Sequence, residues 1–218
     1  MASLPKLLLI LKMNQILDIS LPLYEGMIAY PGTAPLSVTT SKSESSGSTL
    51  STISLSSHTG THIDAPSHVM PGGKTLSELP LETFYGQCRV LDVTSCVGSI
   101  SRESLETKNI QSGERILLKT SNSARGFVSF YDDYIFLSPE AAAYLAEVGV
   151  VLVGIDALSV KQRGNKDNTP HTNLLSHEVV IMEGINLANV EEGTYILCAF
   201  PLALSEIDGS PCRAVLLN

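Results

Sequence analysis

The chain has 218 residues, of which 44% are hydrophobic and 17% are charged, and this composition excludes a disordered protein. Its formal net charge of −8 disfavours nucleic acids and anionic membrane surfaces as partners. No stretch of the sequence reaches the roughly 18 apolar residues that would span a bilayer. We therefore expect a globular protein with no nucleic-acid partner and no membrane partner.

Residues 1–13 are expected to form an N-terminal extension before a domain that covers residues 14–218. The extension contains the apolar run 7–11 between Lys6 and Lys12. This run is shorter than the core of about 7 to 15 residues found in signal peptides, so we expect a cytoplasmic protein. The four cysteines lack the paired spacing of a zinc finger and are interpreted as reduced, structural thiols.

Apolar patterns predict strands separated by short helices and loops. In chain order, strands are predicted at 16–22, 50–55, 90–93, 115–119, 150–155, 195–200 and 214–217. Short helices are predicted near Pro80 and over 101–107, and a polar loop over 161–169. The clearest helix begins at Ser138, with Pro139 in its first turn, and ends at Gly149.

The order of these elements predicts the fold class. Strands outnumber helices and do not alternate strictly with them, which favours one α/β domain with a mixed sheet. The sequence contains no G-x-G-x-x-G, P-loop or G-x-S-x-G motif. Dinucleotide-binding, nucleotide-hydrolysing and α/β-hydrolase functions therefore lose their main support.

Three of the five histidines lie within eleven residues, together with one aspartate. They are His58, His62, Asp64 and His68, all at even positions, so an extended chain would place their side chains on one face. Full extension would separate His58 from His62 by roughly 13 Å, too far for both to bind one metal ion. We therefore predict a bend at Gly60, because glycine tolerates positive φ.

Two histidines and a carboxylate provide three metal ligands and leave coordination positions for water. Such a shell is typical of catalytic zinc, whereas structural zinc usually has four protein ligands. The same groups also form the facial triad of non-haem iron oxygenases, and a catalytically silent binding protein is a further alternative. His68 follows Pro66 and is predicted to carry protons beside the metal rather than to bind it.

Two further residues could belong to the site, although their sequence context leaves each open. His171 is an isolated histidine. Glu183 follows the β-like run 179–182, where it is either a buried carboxylate or a solvated strand end before Gly184.

The segment from His58 to His68 resembles the metal-binding signature of the cyclase family, His-x-Gly-Thr-His-x-Asp-x-Pro-x-His. That family includes bacterial kynurenine formamidases and isatin hydrolases. Weaker similarities follow in the same order along the chain from residue 16, at 18–22, 30–32, 79–82, 90–93, 154–156 and 171–175.

This resemblance implies a swivelling β/β/α fold and a metal-dependent hydrolase. The expected reaction is cleavage of an amide, formamide or lactam C–N bond in a small aromatic molecule. The expected cofactor is Zn²⁺ or Mn²⁺, with one or two ions per subunit. The expected assembly is a homodimer or homotetramer.

The resemblance also implies roles for individual residues. The implied metal ligands are imidazoles and carboxylates, namely His58, His62, Asp64, His171 and Glu183. Asp64 and Glu183 would be shared between two ions, and His68 corresponds to the catalytic histidine. Tyr30 stands where formamidases often have Trp, and we expect it to contact the aromatic ring of the substrate.

Overall fold

The fold was analysed in a computed structural model that describes residues 15–218, so the predicted extension, residues 1–13, lies outside the described residues. The strands of the described chain are β1 (Ile16–Asp18), β2 (Ser37–Lys42), β3 (Thr49–Ser54), β4 (His62–Asp64), β5 (Tyr85–Asp92), β6 (Ser99–Ile100), β7 (Arg115–Lys119), β8 (Phe136–Leu137), β9 (Leu152–Ile155), β10 (Val180–Glu183), β11 (Gly193–Cys198), β12 (Gly209–Pro211) and β13 (Val215–Leu217). The α-helices are α1 (Arg102–Glu106), α2 (Asn122–Arg125), α3 (Pro139–Val148) and α4 (Thr169–Leu175). Short 3-10 helices cover Pro66–His68, Leu76–Glu78 and Leu81–Phe84.

Nine strands form the main sheet, in the order β1-β13-β11-β5-β7-β9-β10-β4-β12. The central strands β5, β7, β9 and β10 run parallel to one another, and the outer pairs are antiparallel. The sheet is therefore mixed, as the sequence predicts. A smaller parallel pair joins β6 to β8, and β2 and β3 form a separate hairpin.

Both faces of the main sheet are covered, which explains the continuous apolar runs of its parallel strands. Along β7, Ile116 and Leu118 belong to the core beneath α1, α3 and α4, whereas Leu117 belongs to the core on the opposite face. That second core also joins Ile63 on β4 to Leu216 on β13, although these strands lie towards opposite ends of the sheet. The sheet therefore curls around it.

The predicted helix at residue 138 is confirmed together with its signals. The Ser138 side chain accepts a hydrogen bond from the Ala141 N–H at 3.1 Å, and Pro139 occupies the first turn. Gly149 ends the helix with a φ of 78°, a conformation that glycine adopts without the steric cost of a side chain. The predicted short helices correspond to α1 and to the 3-10 helix at Leu81–Phe84.

Two predictions differ from the structure. The opening strand ends at Asp18 instead of near Pro22, because the Asp18 carboxylate accepts from the Ser20 N–H at 3.1 Å and turns the chain. Ser20 then forms an isolated bridge to Ile185, which follows β10, a strand towards the opposite end of the strand order from β1. Helix α4 is not predicted by the sequence pattern, which extends the polar loop to residue 169, where the helix already begins.

The remaining predictions concern the strand at residues 50–55, the cysteines and membrane spans. Residues 50–55 fall largely within β3, and every residue of β2 and β3 is exposed. All four cysteines are free, as predicted, and burial raises the pKa of the Cys88 and Cys212 thiols to about 12. Within residues 15–218, no helix has the length and apolar character required to cross a membrane.

Candidate metal centre

The candidate centre is built around β4, which lies between β10 and β12. Ile63 points into the second core, so its neighbours His62 and Asp64 point to the opposite face of the sheet. In the register with β10, His62 pairs with Glu183 and Asp64 pairs with Ile181. The sheet register therefore brings the carboxyl end of β10 directly beside the predicted ligands.

The predicted bend between His58 and His62 is confirmed at Gly60, whose φ is 64°. His58 lies in a turn before β4, so the two histidines do not share one extended strand. The Gly60 carbonyl lies 2.9 Å from His62 Nδ1. Because a carbonyl only accepts, Nδ1 donates its proton, and the lone pair of neutral His62 is then on Nε2. That nitrogen lies 3.4 Å from an Asp64 oxygen.

Glu183 lies between two imidazoles from different elements. Its Oε2 is 3.3 Å from His62 Nε2, and its Oε1 is 3.3 Å from His171 Nε2 on α4. The residue is only 3% exposed, so it is a buried carboxylate and not a solvated strand end. Burial favours the neutral acid, but the neighbouring imidazoles of His171 and His62 outweigh it and lower the pKa of Glu183. The Val160 N–H also donates to Oε1, at 2.7 Å.

His58 joins the cluster through its other neighbours. Its Nδ1 lies 2.8 Å from Asp64 Oδ1, and its Nε2 lies 2.9 Å from Asp208 Oδ2. Burial opposes the charged imidazole, but these two carboxylates outweigh it and raise the pKa of His58 to about 9. The Asp208 carboxyl is affected in the opposite sense, because burial is outweighed by hydrogen bonding to His58 and its pKa falls to about 2.

Asp208 is the residue of this cluster that sequence reasoning misses. It stands between Ile207 and Gly209, and the Asp-Gly pair is typical of a turn. The residue reaches the cluster because β12, which begins immediately after it, pairs with β4 and places Gly209 opposite Asp64. No local signal predicts that pairing, since β12 has only three residues.

His68 ends the 3-10 helix that follows β4. Its ring centroid lies 4.2 Å from that of His58 and 5.7 Å from that of His171. The side chain is 30% exposed, whereas those of His62 and His171 are buried. His68 therefore borders the cluster from the solvent side, where a proton carrier could exchange protons with water.

The donor set of the cluster fits a divalent metal ion. Among residues 15–218, two buried polar atoms that face the centre have no hydrogen-bond partner: His62 Nε2 and Asp64 Oδ2. Such atoms are costly unless another group satisfies them. Ligand atoms of His62, Asp64 and Glu183 lie within 4.8 Å of one another, and so do those of His58, Asp64 and His68. Imidazole nitrogen with carboxylate oxygen suits zinc and manganese.

The cluster opens into a cavity of about 360 Å³, a size suited to a small molecule. Tyr30 also lines this cavity, and its ring meets Phe130 edge to face at 5.5 Å. The Arg163 guanidinium lies over the Tyr30 ring, 5.3 Å from its centroid. Lys161 also lines the cavity, so the pocket combines an aromatic side chain with a positively charged one.

Known proteins share the sequence and the fold of this chain. The family model described as "Putative cyclase" matches residues 17–162. The kynurenine formamidase of Bacillus cytotoxicus is 38% identical over 208 residues, which make up 94% of this chain and 99% of that protein. The chain belongs to the cyclase family. The resemblance seen in the histidine-rich segment is thereby confirmed.

Solved structures of the cyclase family show the same fold. A potential metal-dependent hydrolase with cyclase activity is 35% identical, with a TM-score of 0.85 over 94% of this chain and 98% of that one. The protein from Bacillus stearothermophilus described as a predicted metal-dependent hydrolase has the same TM-score and coverage at 36% identity. Isatin hydrolase A from Labrenzia aggregata is similar in fold, with a TM-score of 0.78 at 23% identity over 94% of this chain and 93% of that one. The predicted cyclase-like α/β class is therefore confirmed.

Proposed function

We propose that this protein is a metal-dependent hydrolase that cleaves the C–N bond of a small aromatic formamide, amide or lactam. The observation that carries the proposal is the buried pair of carboxylates, Asp64 and Glu183, held among imidazoles at the base of an open cavity. Relatives across nearly the whole chain are named kynurenine formamidases and metal-dependent hydrolases, and their names support hydrolysis of a non-peptide C–N bond.

The metal would be held by the buried imidazoles and carboxylates of the cluster: His58, His62, Asp64, His171 and Glu183. A bound divalent ion would supply Lewis acidity, lowering the pKa of water towards 7 and polarising a carbonyl group. Asp64 lies near His58, His62 and His171, so it is suited to a ligand shared by two ions. Glu183 contacts His62 and His171 and could be shared in the same way.

His68 is proposed as the general acid and base. It takes a proton from the attacking water as the C–O bond forms, and it delivers a proton to the nitrogen as the C–N bond breaks. An imidazole suits both steps because its ordinary pKa of about 6.5 lies near neutrality. The position of His68 at the border of the cavity allows contact with both groups. Tyr30 is proposed to contact the aromatic ring of the substrate.

Two histidines and a carboxylate are also compatible with two other functions. An iron oxygenase would use two histidines and one carboxylate, but here a second buried carboxylate, Glu183, and a third imidazole, His171, complete the cluster. A silent binding protein would not need the full ligand set together with His68. The named activities of the relatives also favour hydrolysis.

Finer properties follow from the family resemblance. We propose Zn²⁺ or Mn²⁺ as the metal, with two ions per subunit because one Asp64 oxygen faces His58 and the other faces His171. We further propose a homodimer or homotetramer in the cytoplasm. Light scattering after size-exclusion chromatography would test the assembly, and elemental analysis would test the number of ions.

The decisive experiment compares metal-stripped protein with protein resupplied with zinc or manganese. The substrates tested would be N-formylkynurenine, isatin and a simple formanilide. We expect hydrolysis of at least one of them only after metal is restored, under anaerobic conditions as well as in air. A protein that takes up neither metal would overturn the proposed function.

A further inference from the structure

Asp208 occupies a fixed position at the edge of the candidate centre. Its backbone carbonyl accepts from the Ala65 N–H at 2.9 Å, directly after β4. The preceding residue, Ile207, accepts from the Leu76 N–H at 3.1 Å. The main chain at Asp208 is therefore attached to the segment that carries the predicted ligands, and the residue before it is attached to the 3-10 helix at Leu76–Glu78.

The Asp208 carboxylate contacts the outer nitrogen of His58. Its Oδ2 lies 2.9 Å from His58 Nε2, while the other ring nitrogen, Nδ1, faces Asp64 at 2.8 Å. The second oxygen, Oδ1, accepts from the Ser57 hydroxyl at 3.1 Å, which fixes the carboxylate. Asp208 also lies 3.5 Å from His68 Nδ1, a longer contact. Its bond to His58 is the shorter of its two contacts with imidazoles.

Gly209 provides a second and independent contact with the same ring. A Cβ atom at this position would lie 2.7 Å from His58 Cε1 and 2.9 Å from the Ile63 carbonyl oxygen. Only glycine therefore leaves room for the imidazole where it lies. The Asp208 carboxylate contacts Nε2 of the His58 ring, and the absence of a side chain at Gly209 leaves room for Cε1 of the same ring.

From these contacts we infer that Asp208, together with Gly209, positions the His58 imidazole so that Nδ1 faces the metal. The inference rests on the proposed function, because it assigns His58 as a ligand. Metal-bound histidines commonly donate their other ring N–H to a carboxylate, which fixes the ring and increases its basicity. Asp208 is thus a positioning residue that acts through His58, and loss of its carboxylate should weaken metal binding without removing a ligand.

The primary test measures zinc affinity by competition with a chromogenic chelator. Asp208→Ala should lower the affinity about 10- to 100-fold, the usual effect of losing such a partner. Asp208→Asn keeps an oxygen acceptor and should recover part of the loss. The matched control is Asp18→Ala, because the Asp18 side chain is 41% exposed against 42% for Asp208 and also forms an ion pair. This control should retain wild-type zinc affinity.

A double-mutant cycle separates positioning from a general structural effect. In a His58→Ala background, Asp208→Ala should add little further loss of affinity, because the residue through which it acts is gone. In a His68→Ala background, the full effect of Asp208→Ala should remain. Melting temperatures of the metal-free variants would show whether each protein is folded. If Asp208→Ala does not fold, Asp208→Asn replaces it in the same double-mutant cycle.

Each outcome bears on the inference. Wild-type zinc affinity in both Asp208 variants, or an undiminished loss in the His58→Ala background, would overturn it while leaving the proposed function intact. Gly209→Ala offers a second check, since the clash with the His58 ring should also lower zinc affinity. If the wild-type protein itself binds neither zinc nor manganese, the proposed function and this inference both fail.

Discussion

Glu183 on β10 lies directly opposite His62 on β4, and its Oε2 is 3.3 Å from His62 Nε2. Because the two strands are antiparallel neighbours, this contact is fixed by the sheet register and not by a flexible loop. The same carboxylate reaches His171 on α4 with its other oxygen. One residue therefore connects the sheet and the helix that form the site.

Replacement of Glu183 by glutamine should reduce metal content. Glutamine preserves the size of the side chain but removes the charge that the two imidazoles and a cation require. Loss of an outer partner costs about 10- to 100-fold in affinity, and we expect loss of this ligand to cost at least as much. Elemental analysis after dialysis would measure the change. The exposed Glu44→Gln is the control, and equal metal content in both variants would exclude Glu183 from the shell.

Replacement of His68 by alanine should separate binding from catalysis. We expect normal metal content but a kcat reduced about 100-fold or more, the usual effect of losing a general acid or base. Steady-state kinetics on the identified substrate, together with elemental analysis, would measure both quantities. His177→Ala is the matched control, because His177 is exposed and does not line the cavity. Undiminished turnover in His68→Ala would remove His68 from the mechanism.

Replacement of Tyr30 by alanine should raise KM for an aromatic substrate more than it lowers kcat. Aromatic contacts of this kind contribute about 0.5–1.5 kcal/mol, which corresponds to roughly 2- to 13-fold in affinity. Tyr30→Phe keeps the ring and should behave almost like the wild type. If the phenylalanine and alanine variants have the same KM, the ring does not contribute to substrate binding.

Replacement of Gly184 by alanine should destabilise the protein and disturb the site. A Cβ atom here would overlap the carbonyl oxygen of Gly60, which also holds His62, and the φ of Gly184 is 68°. Gly164→Ala isolates the backbone cost, because its φ is 77° and nothing lies near its added Cβ among the residues described. Overpacking typically adds about 1–3 kcal/mol, so Gly184→Ala should lose that much more stability in denaturant unfolding than the control. Equal losses would show that the close approach is easily relaxed.

Removal of the metal should lower the melting temperature. A ligand that binds only the folded state stabilises it by about 2.7 kcal/mol when its concentration is 100 times Kd. We therefore expect the melting temperature of stripped protein to rise as zinc is added. Magnesium at the same concentration should have little effect, because imidazole ligands suit zinc better than magnesium. A melting temperature that is insensitive to zinc would contradict the metal assignment.

The parts of the fold that sequence predicts best are those with local signals. Ser138, Pro139 and Gly149 mark the two ends of α3 without help from the rest of the chain. Helix α4 is not predicted because it follows a polar loop and contains a proline. The proline is compatible with the helix because it lies in the first turn, where proline is tolerated. The opening strand is shorter than predicted because a side-chain hydrogen bond at Asp18 outweighs its apolar pattern.

The same distinction applies to the candidate site. The short spacing from His58 to His68 makes that part of the cluster visible in the sequence, including the bend at Gly60. Asp208 is 150 residues away from His58 in the chain and meets it only through the pairing of β12 with β4. Contacts of this kind depend on the completed sheet, and a sequence pattern does not specify them.

The position of β12 and β13 has a consequence for biosynthesis. β13 lies between β1 and β11, and β12 borders β4, yet both strands follow residue 208. A ribosome must therefore translate nearly all of the described chain before the first strand finds its neighbour. Folding of the sheet is therefore expected to finish only after residues 209–217 have been translated and have left the exit tunnel.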